Sequence, residues 1–71
     1  MYLKRLRELR EDNDYTQLYI ARILKTTQQQ YQRYESGKRD LPLEYLVKLC
    51  ALYKVTSDYI LEIDKRPPHA D

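Results

Sequence analysis

Residues 16–39 of the chain read TQLYIARILKTTQQQYQRYESGKR, with two helical patterns separated by a short link. Thr16 precedes apolar residues at helical spacing, which predicts a short helix with a threonine N-cap that ends near Leu24. Thr27 starts a second helix after a link of two residues, and Gly37 suits the left-handed conformation that ends a helix. So brief a link is typical of a helix-turn-helix pair, although small helical bundles also use it.

The flanking sequence predicts three more helices and no strands, because no stretch alternates with period two. The five predicted helices run from about Tyr2 to Asp12, from the Thr16 cap to about Leu24, from Thr27 to the residue before Gly37, from Pro42 in the first helical position to about Tyr53, and from the Thr56 cap to about Leu61. We therefore expect a compact all-α domain over residues 1–63, followed by a disordered tail over residues 64–71.

Composition limits the functions that we expect of the chain. Its 71 residues form one small domain with a single core. Cys50 and His69 are the only cysteine and histidine, which argues against an internal disulfide and a four-ligand zinc site. No catalytic constellation or glycine-rich phosphate loop can be assembled, so we expect no enzymatic activity, cofactor or small-molecule ligand. The lack of a long apolar run or a signal peptide predicts a cytoplasmic protein without a membrane span.

Positive charge is concentrated in the middle of the chain. Residues 22–39 hold five of the thirteen Lys and Arg residues and one of the eleven acidic residues, although the whole chain has a net charge of only +2. The same window contains four of the five glutamines. A basic, amide-rich window is typical of a surface that binds a polyanion, but an ordinary solvated helix can have this composition too.

The helix that starts at Thr27 has one polar face and one tyrosine face. Thr27 and Gln30 form a capping-box pattern, in which the hydroxyl accepts from the Gln30 amide and the glutamine side chain returns to the cap. At about 100° per residue, the polar side chains share one arc of the helix. They are Gln28, Gln29, Gln32, Arg33 and Ser36. Glutamine matches the major-groove edge of adenine and arginine that of guanine or a phosphate, so this face can read DNA or simply be solvated.

Two residues of opposite charge point toward the predicted core. Arg10 falls inside the leucine stripe of the first helix, and Glu35 lies on the tyrosine arc of the third. A buried charge without a partner is unfavourable, so we expect an ion pair that ties the first helix to the end of the third. The alternative is that both side chains extend outward to solvent.

Together these motifs resemble the phage repressor and Cro type of helix-turn-helix domain, also called Xre-like. The resemblance extends over about residues 3–61. It is carried by LRELR at 6–10, TQ at 16–17, IA at 20–21, YESGKR at 34–39 and VTSDYIL at 55–61. It implies a lambda-repressor-like domain of five helices that binds double-stranded DNA, with the second and third helices as the reading unit.

The resemblance also implies roles for individual residues. Those that would read bases are Gln28, Gln29, Gln32 and Arg33. Those that would contact the DNA backbone are Gln17, Thr27, Lys38 and Arg39. Arg10 and Glu35 fall where the family often has a structural ion pair, which agrees with the helical wheel.

Several positions depart from the family pattern, among them Lys25 and Asp14. Lys25 stands in the turn where the family favours glycine or asparagine, and Asp14 replaces a frequent glycine. We therefore expect the turn at Lys25 to be strained or to have a different shape.

The expected activity is that of a bacterial or phage-encoded, nucleoid-associated repressor that occupies its operator as a dimer. One such module buries only about 600 to 1,000 Å² on DNA, so two copies on two half-sites are the expected form. Ile60, Leu61 and Ile63 are the predicted dimer surface. The alternative is a helical protein-interaction module, such as an antitoxin or adaptor, because fold resemblance alone does not exclude it.

Overall fold

Three of the helices begin at a threonine that caps the first turn. In the computed structural model, which describes residues 2–63, the hydroxyls of Thr16, Thr27 and Thr56 accept hydrogen bonds from backbone amides three residues later, at 3.0, 3.1 and 3.1 Å. Each cap satisfies one of the amides that a helix start leaves without an intrahelical partner. The helices that follow these caps are α2 (Gln17–Leu24), α3 (Gln28–Ser36) and α5 (Ser57–Leu61).

The other two helices begin slightly later than predicted. α1 (Lys4–Asp12) follows Leu3, which offers no capping side chain, and Tyr2 lies outside the helix. α4 (Leu43–Tyr53) follows Pro42, whose φ of −60° and ψ of 146° are extended rather than helical. Pro42 is therefore the N-cap residue and not the first residue of α4. Within residues 2–63 the elements are all helices, which confirms the predicted all-α class.

The core contains side chains from all five helices. Its side chains with an exposure of 1% or less are Leu6, Ile20, Ala21, Leu24, Tyr31, Leu49 and Ile60. The assignment of Ile60 to the dimer surface is therefore wrong. α5 is only five residues long, and the buried side chain of Ile60 docks it on the rest of the domain.

A buried arginine on α1 holds α5 in place. Arg5 is only 7% exposed, and its Nη1 donates a hydrogen bond of 2.7 Å to the backbone oxygen of Tyr59. The guanidinium also lies 4.1 Å from the centre of the Tyr59 ring, in cation–π geometry. This contact was not predicted, because an arginine at the edge of an apolar stripe is usually assigned to the surface.

Most of the left-handed residues within residues 2–63 are not glycines. Asp14, Lys25, Lys54 and Glu62 have φ between 57° and 63°, and Gly37 has φ of 84°. At the α2–α3 turn the amide of Thr26 donates to the Ala21 oxygen at 2.9 Å, as in a Schellman motif. The turn therefore has the shape that the motif requires. A left-handed lysine nevertheless crowds its own Cβ against the backbone, which destabilises the folded chain by about 1 to 2 kcal/mol.

A buried ion pair joins α1 to the end of α3. Arg10 Nε and Nη2 donate to the two carboxylate oxygens of Glu35, both at 2.9 Å, and Arg10 Nη1 donates to the Tyr15 oxygen at 3.0 Å. The Glu35 residue is only 4% exposed. Burial raises the pKa of its carboxyl, but the surrounding hydrogen-bond donors, of which Arg10 is the strongest, lower the pKa by more, so that the net shift is downward from 4.5.

The predicted tail at residues 64–71, with His69, lies outside the described residues. Among residues 2–63, no helix is long and apolar enough to cross a bilayer. The same residues contain no cluster of three or more histidine, cysteine or acidic side chains arranged to hold a metal ion.

Replacing Lys25 by glycine should raise the free energy of unfolding by about 0.5 to 1 kcal/mol. The substitution removes the left-handed strain, and the greater backbone entropy of an unfolded glycine cancels only part of that gain. A higher midpoint of urea unfolding at an unchanged slope is the expected result. Lys48→Gly, at an exposed position inside α4, is the control and should lose about 1 kcal/mol. A lower midpoint for Lys25→Gly would contradict the left-handed geometry at this residue.

Replacing Arg10 by methionine should lower the free energy of unfolding by about 3 to 5 kcal/mol, because it leaves the Glu35 carboxylate buried without its cation. A domain of this size has about that much net stability, so the variant should be largely unfolded by circular dichroism. The double variant Arg10→Met/Glu35→Leu contains no buried charge and should recover most of the loss. The pairing is refuted if Arg10→Met unfolds at the same urea concentration as the unsubstituted chain.

The same pair predicts a pH dependence. Because the pKa of folded Glu35 lies below 4.5, its contribution to stability is complete above that value and is lost as the pH falls through the folded pKa. Acidification from about pH 5 to about pH 3 should therefore destabilise the unsubstituted chain more than Arg10→Met/Glu35→Leu. Urea unfolding at a series of pH values measures this difference, and parallel curves would contradict it.

Candidate nucleic-acid interface

The start of α3 presents its polar side chains to solvent. Thr27 caps the helix, and Gln28 and Gln29 follow in its exposed first turn. Gln32 and Arg33 lie one turn later and are exposed as well. In contrast, Tyr31 and Glu35 of the same helix are buried. The helix is therefore anchored by one face and offers the other to a partner.

These side chains line a shallow cleft between α2, α3 and the loop that follows α3. Its lining consists of Gln17, Gln28, Gln29, Gln32, Arg33 and Lys38. The lining contains four amides, two cations and no carboxylate, so it offers hydrogen-bond donors and positive charge to an anionic partner. All four residues predicted to read bases are in the lining, together with two of the four predicted backbone contacts. Thr27 and Arg39, the other two, lie outside it.

Gln17 connects this cleft to the buried ion pair. It is the first residue of α2, it is partly buried, and its Nε2 donates to Glu35 Oε1 at 3.2 Å. One hydrogen of the side-chain amide is thus used inside the protein, and the second remains for a ligand in the cleft. The hydrogen bond restricts the rotamers of a side chain that would otherwise lose entropy on binding.

Only one half of the predicted capping box is formed. The Gln30 amide donates to Thr27 Oγ1, but within residues 2–63 the Gln30 Oε1 atom is buried and has no hydrogen-bond partner. The predicted return of this side chain to the cap is therefore wrong. The threonine hydroxyl alone sets the start of α3, and Gln30 does not contribute to the cleft.

The loop after α3 carries the predicted cations Lys38 and Arg39, both exposed. Gly37 ends the helix in the left-handed conformation, and the backbone amide of Arg39 donates to the Arg33 oxygen at 3.2 Å. The loop is thereby folded back onto the last turn of the helix. As a result, Lys38 reaches the same cleft as the first-turn glutamines.

A second polar cleft adjoins the first, between α1 and α3, and two of its residues, Tyr2 and Arg7, were not among the predicted site residues. Tyr2, Arg7, Gln32 and Ser36 are its exposed lining residues. Arg7 lies three residues before Arg10 and therefore on the same side of α1, so its place beside the ion pair could have been inferred from the sequence. The position of Tyr2 depends on packing against α3 and has no local signal.

Comparison with known proteins agrees with this arrangement. A family model described as a helix-turn-helix matches residues 6–60. The chain is 37% identical over 67 residues to the uncharacterized HTH-type transcriptional regulator YobD of Bacillus subtilis (strain 168), with 94% of this chain and 60% of that protein covered. In the same organism it is 39% identical over 62 residues to the HTH-type transcriptional regulator ImmR, with 87% of this chain and 49% of ImmR covered.

A further relative in that strain is the HTH-type transcriptional regulator AnsR, which is 38% identical over 66 residues, with 93% of this chain and 57% of AnsR covered. The chain thus spans about half to three fifths of the length of these relatives. No solved structure matches it significantly. The family match covers most of the chain, and it includes both helices that line the first cleft. The chain therefore belongs to the helix-turn-helix family of the Xre and Cro type.

Proposed function

We propose that the chain is a sequence-specific DNA-binding domain that regulates transcription. The observation that carries this proposal is the cleft in which Gln28, Gln29, Gln32 and Arg33 meet Gln17 and Lys38 without an acidic neighbour in the lining. The width of the DNA major groove admits one α-helix, and the exposed polar face of α3 is the face that would enter it. The relatives that are named transcriptional regulators support the same assignment.

The cleft combines two kinds of contact. Glutamine amides and the arginine fork can form paired hydrogen bonds with base edges, which carry sequence information. Gln17 and Lys38 flank these side chains and suit the phosphates on either side, which fix the position of the helix but carry no sequence information. Thr27 and Arg39, at the two ends of the α3 surface, would add backbone contacts at the margin of the cleft.

The working form in this proposal is a dimer that represses transcription by occupying an operator. Two copies would double the small interface of a single module and would read two half-sites about 34 to 36 Å apart. Among the predicted contact residues, Leu61 is partly buried and Ile63 is 42% exposed. Leu61 also lines an apolar groove with Leu43 and Val47 of α4, which are 74% and 60% exposed. This groove lies on α4 and α5 and shares no lining residue with either polar cleft, so docking of a second copy there would use none of the proposed DNA-contacting residues.

The base-reading role predicts different outcomes for two alanine variants. Selection of duplexes from a random pool would first supply a preferred site. Gln28→Ala should then lose about 1 to 3 kcal/mol of binding free energy on that site and little on a scrambled duplex. Lys38→Ala should weaken binding to both duplexes equally and reduce the dependence of log Kd on log salt by about one unit. Fluorescence anisotropy over a salt series measures both quantities.

The matched control for these variants is Lys48→Ala, which removes an exposed cation on α4 outside the cleft. It should change neither the affinity nor the salt dependence. Equal losses on the selected and scrambled duplexes for Gln28→Ala would refute base reading. A flat salt response of the unsubstituted chain would refute DNA binding and favour a protein partner.

Val47→Glu should convert the dimer into a monomer, because two copies would each bury a carboxylate without a partner. Sedimentation equilibrium measures the mass, and circular dichroism should show an unchanged helical content, since Val47 is 60% exposed. Leu18→Glu introduces the same charge at an exposed position of α2 and should remain dimeric. A monomeric unsubstituted chain at concentrations where it binds its operator would refute the proposed dimer.

A further inference from the structure

The second cleft, between α1 and α3, has the chemistry of an anion site. Its lining includes Arg10 and Glu35, whose side chains are 13% and 5% exposed. Its exposed lining residues include Tyr2, Arg7 and Ser36. Because the carboxylate of Glu35 is neutralised by the two hydrogen bonds from Arg10, the Arg7 guanidinium is the remaining positive group in the lining.

This cleft is continuous with the one that carries the proposed base-reading residues. Gln17 and Gln32 line both clefts. The two together form one polar trough that runs from Lys38, past the start of α3, to the outer face of α1. A DNA strand that passes α3 would therefore meet the α1–α3 cleft at an adjoining stretch of its backbone.

Arg7 is available to a phosphate in this trough. Its side chain is 61% exposed, and its Nε donates to Glu11 Oε2 at 3.0 Å across one helical turn. That hydrogen bond leaves the Nη groups of the guanidinium to donate to a second anion. An exposed pair four residues apart on a helix contributes little to stability, so it can also open when DNA is bound.

Tyr2 is held at the rim of the same cleft by a close packing of backbone on backbone. A Cβ atom at Gly37 would lie 2.9 Å from the Cα of Tyr2, so the N-terminal segment can rest on the end of α3 only because residue 37 is a glycine. Tyr2 is 59% exposed in this position. Its phenol can donate a hydrogen bond to the same anion that Arg7 would bind.

We propose that the α1–α3 cleft binds a phosphate of the DNA backbone, with Arg7 as the principal donor and Tyr2 as the second. This site lies beyond the phosphates that Gln17 and Lys38 would contact, and it extends the interface from the helix-turn-helix onto α1. The proposal rests on the DNA-binding function proposed above, because it assigns an additional contact to the same duplex.

The test is the salt dependence of DNA binding by Arg7→Gln. Loss of one phosphate contact should reduce the slope of log Kd against log salt by about 0.9, and should weaken binding roughly tenfold at about 50 mM salt on selected and scrambled duplexes alike. Phosphate-ethylation interference should identify one phosphate whose modification impairs the unsubstituted chain but not Arg7→Gln. Tyr2→Phe should weaken binding by a smaller factor, with the helical content of both variants unchanged.

Two further variants separate a specific contact from a general charge effect. The charge-neutral Arg7→Gln/Glu11→Gln should still show the reduced slope and the missing interference position. Lys48→Gln removes one charge elsewhere and should keep the salt slope and the interference position of the unsubstituted chain. Suppose that the unsubstituted chain binds DNA with a steep salt dependence. An unchanged slope for Arg7→Gln would then overturn the α1 site, and so would a slope restored in the charge-neutral variant. Failure of the unsubstituted chain to bind DNA would overturn the proposed function as well.

Discussion

The bidentate pair of Arg10 and Glu35 is the interaction on which the arrangement of the helices depends. One carboxylate accepts from α1 through Arg10 and from α2 through Gln17, while Arg10 also binds the Tyr15 oxygen just before α2. Such a buried pair adds little net stability, but an incomplete pair is strongly unfavourable. The domain is therefore held to the one packing in which α1, α2 and the end of α3 meet at this carboxylate.

This constraint separates the two faces of α3. The buried face, with Tyr31 and Glu35, determines the position of the helix in the domain, and the exposed face can then vary without loss of stability. Gln17 has both a structural and a binding role, because its amide is bound to Glu35 and also faces the polar cleft. In this arrangement the contact that Gln17 would make with a ligand is coupled to the packing of the core. The residues on the exposed face of α3, which would select the ligand, are not coupled to it.

Much of this structure could be predicted from local patterns. Three threonine caps, the apolar periodicity and the inward direction of Arg10 and Glu35 are all encoded within a few residues, and the structure contains each of them. The wrong assignment of Ile60 and the missed burial of Arg5 both depend on contacts between distant segments. Ile60 is apolar whether it faces a partner or the core, and only the docking of α5 decides between them. Arg5 is buried because it has a carbonyl and a ring from α5 as partners, more than fifty residues away.

The α2–α3 turn has a consequence for how the helix-turn-helix unit can exist. Lysine favours continuation of a helix, and it resists the left-handed conformation that Lys25 adopts. Nothing in the sequence at that residue favours the bend, so it depends on the burial of α2 and α3 side chains, such as Leu24 and Tyr31, in a core that the other helices complete. We therefore expect a peptide of residues 16–37 to lose the bend in isolation. The reading unit of this protein is not a portable module, because its shape is supplied by the other three helices.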